Sequence, residues 1–291
     1  MELLIQQLVS GVATGGIYAC MALSIVMIYQ AIHHLNFAQG EMAMFSTFIA
    51  WQLLQWGLPY WIVIPLTVAI SFSGGIAIER IVIGPLGEAA VLSHAVVFIG
   101  LYAVINSLAS FIWDFTTRPF PSPFGAGSQF GNLISNQQIG MIAVTLLVLA
   151  LLYAFFRYTR VGLAMRAAAE NPTSARLAGI RVGLMAALGW GMAAAVGSIA
   201  GVLIAPIVFL EPNMMLSILL YGFAGAVLGG LSNPAGAVAG GFAVGVIENL
   251  AGTYVPVIGS ELKLPIALLL IVIVLVFRPT GLFGRTIVQR V

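Results

Sequence analysis

The chain of 291 residues is 61% hydrophobic and 7% charged, with a mean hydropathy of +1.09. That composition excludes a soluble globular domain, and a formal net charge of +2 gives no footing for nucleic acid. Backbone groups in lipid must be satisfied within the protein, so a spanning chain is helical or a closed barrel. Barrel strands alternate in polarity, whereas the runs here are continuously apolar over about 20 residues. The predicted class is an all-α, polytopic integral membrane helical bundle.

Nine apolar segments are predicted in chain order, at 5–29, 38–56, 60–79, 92–113, 139–156, 183–209, 214–231, 236–255 and 264–277. The second and seventh are short or interrupted and are candidate broken or re-entrant helices, which sets the number of spans at about eight or nine. The first, opening MELLIQQL, lacks a basic leader and an early cleavage site and reads as a retained span. It carries Cys20, a single cysteine that rules out an intrachain disulfide. Residues 114–138 hold three prolines, three glycines and four phenylalanines. They are denied a helix yet are too aromatic for a free loop, so an ordered external lid is expected, a hairpin being one form of it and a poorly packed connector the alternative.

Residues 157–181 interrupt this pattern with five of the chain's eleven basic residues. Ala164, Ala167, Ala168 and Ala169 favour a helix over Arg160–Glu170. Asn171-Pro172 then reads as an N-cap followed by proline in the first turn, and Gly179 as a stop. Two short helices, too polar to span, form a candidate docking element for a partner. The alternative is an amphipathic pair lying on the anionic inner leaflet. With this loop inside, nine spans place Arg80, Arg278, Arg285 and Arg290 inside as well, so nine basic residues lie inside against Arg118 and Lys263 outside. The predicted N-terminus is outside and the C-terminus inside.

Glycines four apart recur at Gly11/Gly15, Gly197/Gly201, Gly225/Gly229, Gly236/Gly240 and Gly241/Gly245. Each pair lies on one helix face and predicts close helix approach. A P-loop needs a lysine followed by Ser or Thr, but the only lysine, Lys263, precedes Leu264. Any ATP chemistry must come from a partner, and no catalytic residue, metal site or cofactor is predicted; the histidines at 33, 34 and 94 read as interfacial. Charges are costly in lipid, so Glu248 and Glu41 are candidate pathway residues. Glu248 could equally bond between helices, and Glu41 is expected nearer the inner surface. The patterns Asn36-Phe37-Ala38-Gln39-Gly40 and Asn233-Pro234-Ala235-Gly236 are candidate helix breaks. Ordinary loop turns are the alternative.

Three stretches resemble the permeases of branched-chain amino acid ABC importers, the LivH/LivM-type family. Asn36-Phe37-Ala38-Gln39-Gly40-Glu41 is similar to the family's early Asn-Phe-Ala-x-Gly-Glu/Asp motif. Thr159-Arg160-Val161-Gly162, with Arg166, Ala169-Glu170-Asn171-Pro172, Ala175, Leu177 and Gly179-Ile180, is similar to its cytoplasmic loop. Gly229-Gly230-Leu231, Pro234-Ala235-Gly236-Ala237 and Gly240-Gly241 are similar to its late glycine-rich motif. Gln39 stands where many relatives carry His.

The resemblance implies a single transmembrane permease domain over 1–291, in a bacterial inner (cytoplasmic) membrane. Its implied partners are a second permease subunit, paralogous or a second copy, two cytoplasmic ATPase subunits, an external solute-binding protein and membrane lipid. The loop 157–181 would be the coupling helix, with Arg160, Gly162, Arg166, Glu170, Asn171, Pro172, Arg176 and Gly179 facing an ATPase subunit. The pathway candidates are Asn36, Gln39, Gly40, Glu41, Asn233, Gly236 and Glu248. Branched-chain amino acids are the leading solute, with urea or small carboxylates as alternatives. A secondary transporter using Glu41 or Glu248 and a passive channel are the competing classes.

Overall fold

The computed structural model describes residues 2–32, 34–87, 90–125, 127–129, 134–255, 259 and 262–284. Each of the predicted apolar segments is helical there. In chain order the helices are α1 Glu2–Ile32, α2 Gln39–Gln55, α3 Tyr60–Ile78, α4 Val91–Trp113, α5 Asn136–Tyr158, α6 Arg160–Glu170, α7 Pro172–Leu177, α8 Val182–Val208, α9 Leu216–Gly229, α10 Pro234–Tyr254 and α11 Lys263–Phe277. A π turn over Glu79–Ile83 and a 3-10 turn over Gly84–Leu86 extend α3. Among the described residues six helices, those starting at Glu2, Tyr60, Val91, Asn136, Val182 and Pro234, are long and apolar enough to cross a membrane. Of the remaining helices, the apolar α2, α9 and α11 have 17, 14 and 15 residues. At 1.5 Å per residue they cover about 21–26 Å, short of the ~30 Å hydrocarbon core. The second and seventh segments are the ones expected to be short or interrupted, and the ninth, expected at 264–277, is equally short.

The chain divides into two compact units, each assembled from separated stretches. One holds Met1–Val26, Phe124–Ala143 and Ser217–Val291; the other holds Met27–Pro123 and Val144–Leu216. In the second unit α8 packs against both α2 and α3. Small residues make this possible. A Cβ on Gly75 would lie 2.6 Å from the Trp190 carbonyl oxygen, and one on Gly191 would lie 2.9 Å from that of Phe72. On the α2 side, Gly197 faces Gln39 and Gly201 faces Thr47. Partner numbers rise together along α2 and α8, so these helices run parallel.

Residues 114–123 of this unit are fastened at Arg118. Its backbone exchanges two 2.9 Å hydrogen bonds with Leu210, its Nη2 donates to the Trp113 carbonyl at 2.6 Å, and its guanidinium sits 4.5 Å from the Trp51 ring centroid. Asp114 and Phe209, the residues that end α4 and α8, both have positive φ, 62° and 63°. Those conformations are unfavourable for non-glycine residues and persist only where the surroundings hold them.

In the first unit α10 uses two faces. Gly236 and Gly240 lie against Gly229 and Gly225 of α9, whereas Gly241 and Gly245 lie against Ala19 and Gly15 of α1. The two glycine pairs read from the sequence therefore serve two different contacts. Residues 282 and 283 close over the α9–α10 turn, where the Leu282 amide donates to the Leu228 carbonyl at 2.8 Å and the Phe283 amide to that of Gly229 at 3.2 Å. Gly230 takes φ +106° at this crossing, and a Cβ there would sit 2.7 Å from the Gly284 nitrogen. The hairpin form is present as β1 Ser128–Gln129 paired antiparallel with β2 Ile134–Ser135.

Candidate functional site

The early Asn-Phe-Ala-Gln-Gly-Glu motif forms the break before α2. Asn36 Oδ1 accepts the Ala38 amide at 2.9 Å, which turns the chain into the helix. Asn36, Gln39 and Glu41 are all buried, at 2%, 0% and 1% exposure. Gln39 Nε2 donates to the Ala193 carbonyl at 2.9 Å, well along α8. Asn106 Nδ2 of α4 donates to Glu41 Oε2 at 3.0 Å, and it also reaches the Pro212 carbonyl at 3.0 Å and Asn213 Oδ1 at 3.3 Å.

These contacts set the depth of the break. The His34 ring stacks on His94, near the start of α4, with centroids 4.3 Å apart. His94 and Asn106 are separated by about 18 Å of helix at 1.5 Å per residue. Residues 34–41 bridge these two levels of α4 through a bend at His34, a turn at 37–38 and the first turn of α2. The first turn of α2 lies part-way along α4 and α8. Glu41 stands level with Asn106, well along α4 from its first turn. The two predicted breaks also differ, because Asn36 forms a turn ahead of α2, whose N-cap is Ala38, while Asn233 itself caps α10.

On α10 the candidate residues are spread out. Asn233 Oδ1 accepts the Gly236 amide at 3.2 Å and its Nδ2 donates to the Phe283 carbonyl at 3.1 Å. Gly236 packs against Gly229 and Phe283. Glu248 lies about 18 Å beyond Gly236 along the helix. Its Oε2 accepts the Tyr18 hydroxyl at 2.7 Å, and Lys263 Nζ stands 3.9 Å from Oε1. Tyr18 stacks on Tyr221 at 4.7 Å, and next to Glu248 the Asn249 amide donates to Thr14 Oγ1 at 3.0 Å. This is the geometry of bonding between helices, one of the two roles weighed for Glu248.

The basic loop folds as two helices. Thr159 Oγ1 accepts the Gly162 amide at 2.9 Å and so caps α6; a Cβ on Gly162 would fall 2.7 Å from the Phe156 Cα, so the α5–α6 corner needs glycine there. Asn171 Oδ1 accepts the Ser174 amide at 2.9 Å and caps α7, with Pro172 in its first turn. Gly179 ends α7 with φ +82°, its amide donating to the Arg176 carbonyl and that of Ile180 to Ala175. Met165, Ala168 and Ala175 are buried. Arg160, Arg166, Glu170 and Arg176 are exposed, together with Leu163 and Leu177. Ala168 and Ala175 are thus turned inward, and Val161, Leu163 and Leu177 give the exposed apolar surface of the two helices.

Residues 7–277 match the family described as branched-chain amino acid transport system, permease component. The chain belongs to that family. The high-affinity branched-chain amino acid transport system permease protein LivH of Salmonella typhimurium is 30% identical over 99% of this chain and 97% of its own. LivH of Escherichia coli matches to the same extent, and BraD of Pseudomonas aeruginosa is 32% identical over 99% of this chain and 98% of its own. Among solved structures, PsaBC from Streptococcus pneumoniae in complex with Fab aligns at a TM-score of 0.46 with 12% identity, over 94% of this chain and 89% of that one. That likeness is too remote to bear on the fold or the function.

The permease's pathway candidates fall in the two units, with Asn36, Gln39, Gly40 and Glu41 gathered at one helix start and Asn233, Gly236 and Glu248 distributed along α10. Sequence reading passed over Asn106, Pro212 and Asn213. Asn106 is an amide inside an apolar run, and such a residue asks for a partner in lipid. That was the available signal. Tyr18 and Tyr221, the neighbours of Glu248, gave none.

Proposed function

We propose that this permease is the membrane-spanning subunit of an ATP-binding-cassette importer that passes branched-chain amino acids across a bacterial inner membrane. The near full-length match to the LivH and BraD permeases carries this reading. Two cytoplasmic ATPase subunits supply the energy, an external solute-binding protein delivers the solute, and a second permease subunit completes the passage. The loop Arg157–Arg181 acts as the coupling element. Arg160, Arg166, Glu170 and Arg176 face the ATPase subunit, with Leu163 and Leu177 between them, while Gly162, Asn171, Pro172 and Gly179 hold the two helices in shape. The start of α2, from Asn36 through Gln39 and Gly40 to Glu41, lines the pathway. Asn233, Gly236 and Glu248 serve α10 packing.

Transport of this kind requires contacts that differ between two states of the helices, not a tight resting site. A helix that begins at depth, tied to α4 and α8 by single polar contacts, suits such a change. The test is reconstitution. The chain should co-purify with ATPase subunits, and the complex in proteoliposomes should take up leucine only with ATP and the binding protein. Uptake by this chain alone would defeat the reading.

A further inference from the structure

Asn106 is offered more acceptors than it has hydrogens. Its Nδ2 lies 3.0 Å from Glu41 Oε2, 3.0 Å from the Pro212 carbonyl oxygen and 3.3 Å from Asn213 Oδ1. An amide NH2 carries two hydrogens, and these three oxygens accept. The amide alone cannot give each a full hydrogen bond, so one must share a hydrogen or, at exposed Asn213, take its donor from water. Glu41, 1% exposed, forms no ion pair among the described residues. A carboxylate in that setting is costly without a cation. A primary ammonium group brings what the cluster lacks, three N–H donors and a positive charge.

We propose that Glu41 Oε2, the Pro212 carbonyl and Asn213 Oδ1 form a subsite for the α-ammonium group of the transported amino acid, which takes the place held at rest by the Asn106 amide. The proposal rests on the amino-acid reading above and adds the chemical group and the atoms that read it. Asn213 is exposed while Glu41 is buried, so the ammonium enters past Asn213 and the Asn106 side chain rotates away. Competition from the resident amide keeps occupancy weak, as a passage that must also release its solute requires.

The test uses the importer purified with its ATPase subunits and second permease, without the solute-binding protein. Saturation-transfer NMR measures weak binding of leucine, of isopentylamine (the amine without the carboxylate) and of 4-methylpentanoate (the acid without the amine). Leucine and isopentylamine should bind and displace each other, and 4-methylpentanoate should displace neither. Glu41→Gln keeps an acceptor for Asn106 but removes the charge, and should lower leucine binding by about five-fold or more. Asn106→Ala removes the competing amide and should leave leucine binding equal or stronger. Displacement of leucine by the acid but not the amine overturns the subsite. So does a Glu41→Gln complex that binds leucine as the wild type does, or a normally assembled Asn106→Ala complex that loses binding as Glu41→Gln does. Should Glu41→Gln fail to assemble, the wild-type competition alone decides. If leucine does not bind but another amino acid binds and is displaced by methylamine, the branched-chain reading fails while the ammonium subsite stands. If no amino acid binds, the subsite falls.

Discussion

Gly240 and Gly100 are both helical glycines in apolar spans, yet a side chain would meet very different surroundings at the two. A Cβ on Gly240 would run into the Gly225 carbonyl and sit 2.8 Å from the Gly229 nitrogen, whereas one on Gly100 meets nothing within 4 Å. Backbone cannot step aside as a flexible side chain can, so the cost at Gly240 is separation of α9 from α10. Gly240→Leu should cut the yield of assembled complex and its ATP-driven uptake several-fold, and Gly100→Leu should leave both within about two-fold, in line with a surface change. Wild-type behaviour of the Gly240 variant would remove the packing explanation for the late motif. Gly125 is a poorer control, because its φ of +72° strains any side chain although the space around it is open. The four-residue spacing made these glycines legible in the sequence, but not their partners. Which face of α10 meets α1 and which meets α9 depends on residues more than 200 positions away from Gly241, such as Ala19.

At the scale of elements, what was local was legible. Thr159 and Asn171 cap α6 and α7 within three residues of themselves, so the short helices and their joint followed from the sequence alone. The start of α2 at depth did not follow. Hydropathy reports how long an apolar run is and says nothing of where along its neighbours a helix begins; Glu41 is placed by Asn106, 65 residues on. The caps give a direct prediction. Asn171→Ala removes the acceptor of the Ser174 amide and should weaken α7 locally by about 1 kcal/mol, raising hydrogen exchange at Ser174 roughly five-fold, while Asn171→Asp preserves it. The docking role is probed separately by reversing exposed charge with Arg166→Glu and Glu170→Lys. Neither residue packs in the core, so the membrane fold should survive, while ATPase attachment or coupled uptake falls several-fold. Normal recovery of ATPase subunits with normal uptake in both variants would count against the docking element.

At the scale of the whole molecule, the orientation in the membrane follows from how many times the chain crosses. The basic residues fall on one side, apart from Arg118 and Lys263, only if the number of crossings is odd in the way nine segments give. Among the described residues six helices are long enough to cross unaided. The second segment makes up the nine crossings only if residues 34–36 and the turn at 37–38 add to the 17 residues of α2. The short α9 and α11 are where the count is exposed, because a re-entrant α9 alone would reverse the side of everything after it. Arg278 at the end of α11 counts towards the inner set, while Arg285 and Arg290 lie outside the described residues. We therefore expect Ser128, in the hairpin, and Ala178, at the end of α7, to face opposite sides, with the C-terminus inside. Both positions are exposed and neither has a positive φ, so cysteine fits either without backbone strain. In a Cys20→Ser background, an impermeant maleimide added to intact cells should label Ser128→Cys and reach Ala178→Cys only after the membrane is opened. Labelling of Ala178→Cys from outside would invert the assignment and take the coupling role of Arg157–Arg181 with it, since no cytoplasmic ATPase could reach a loop on that face.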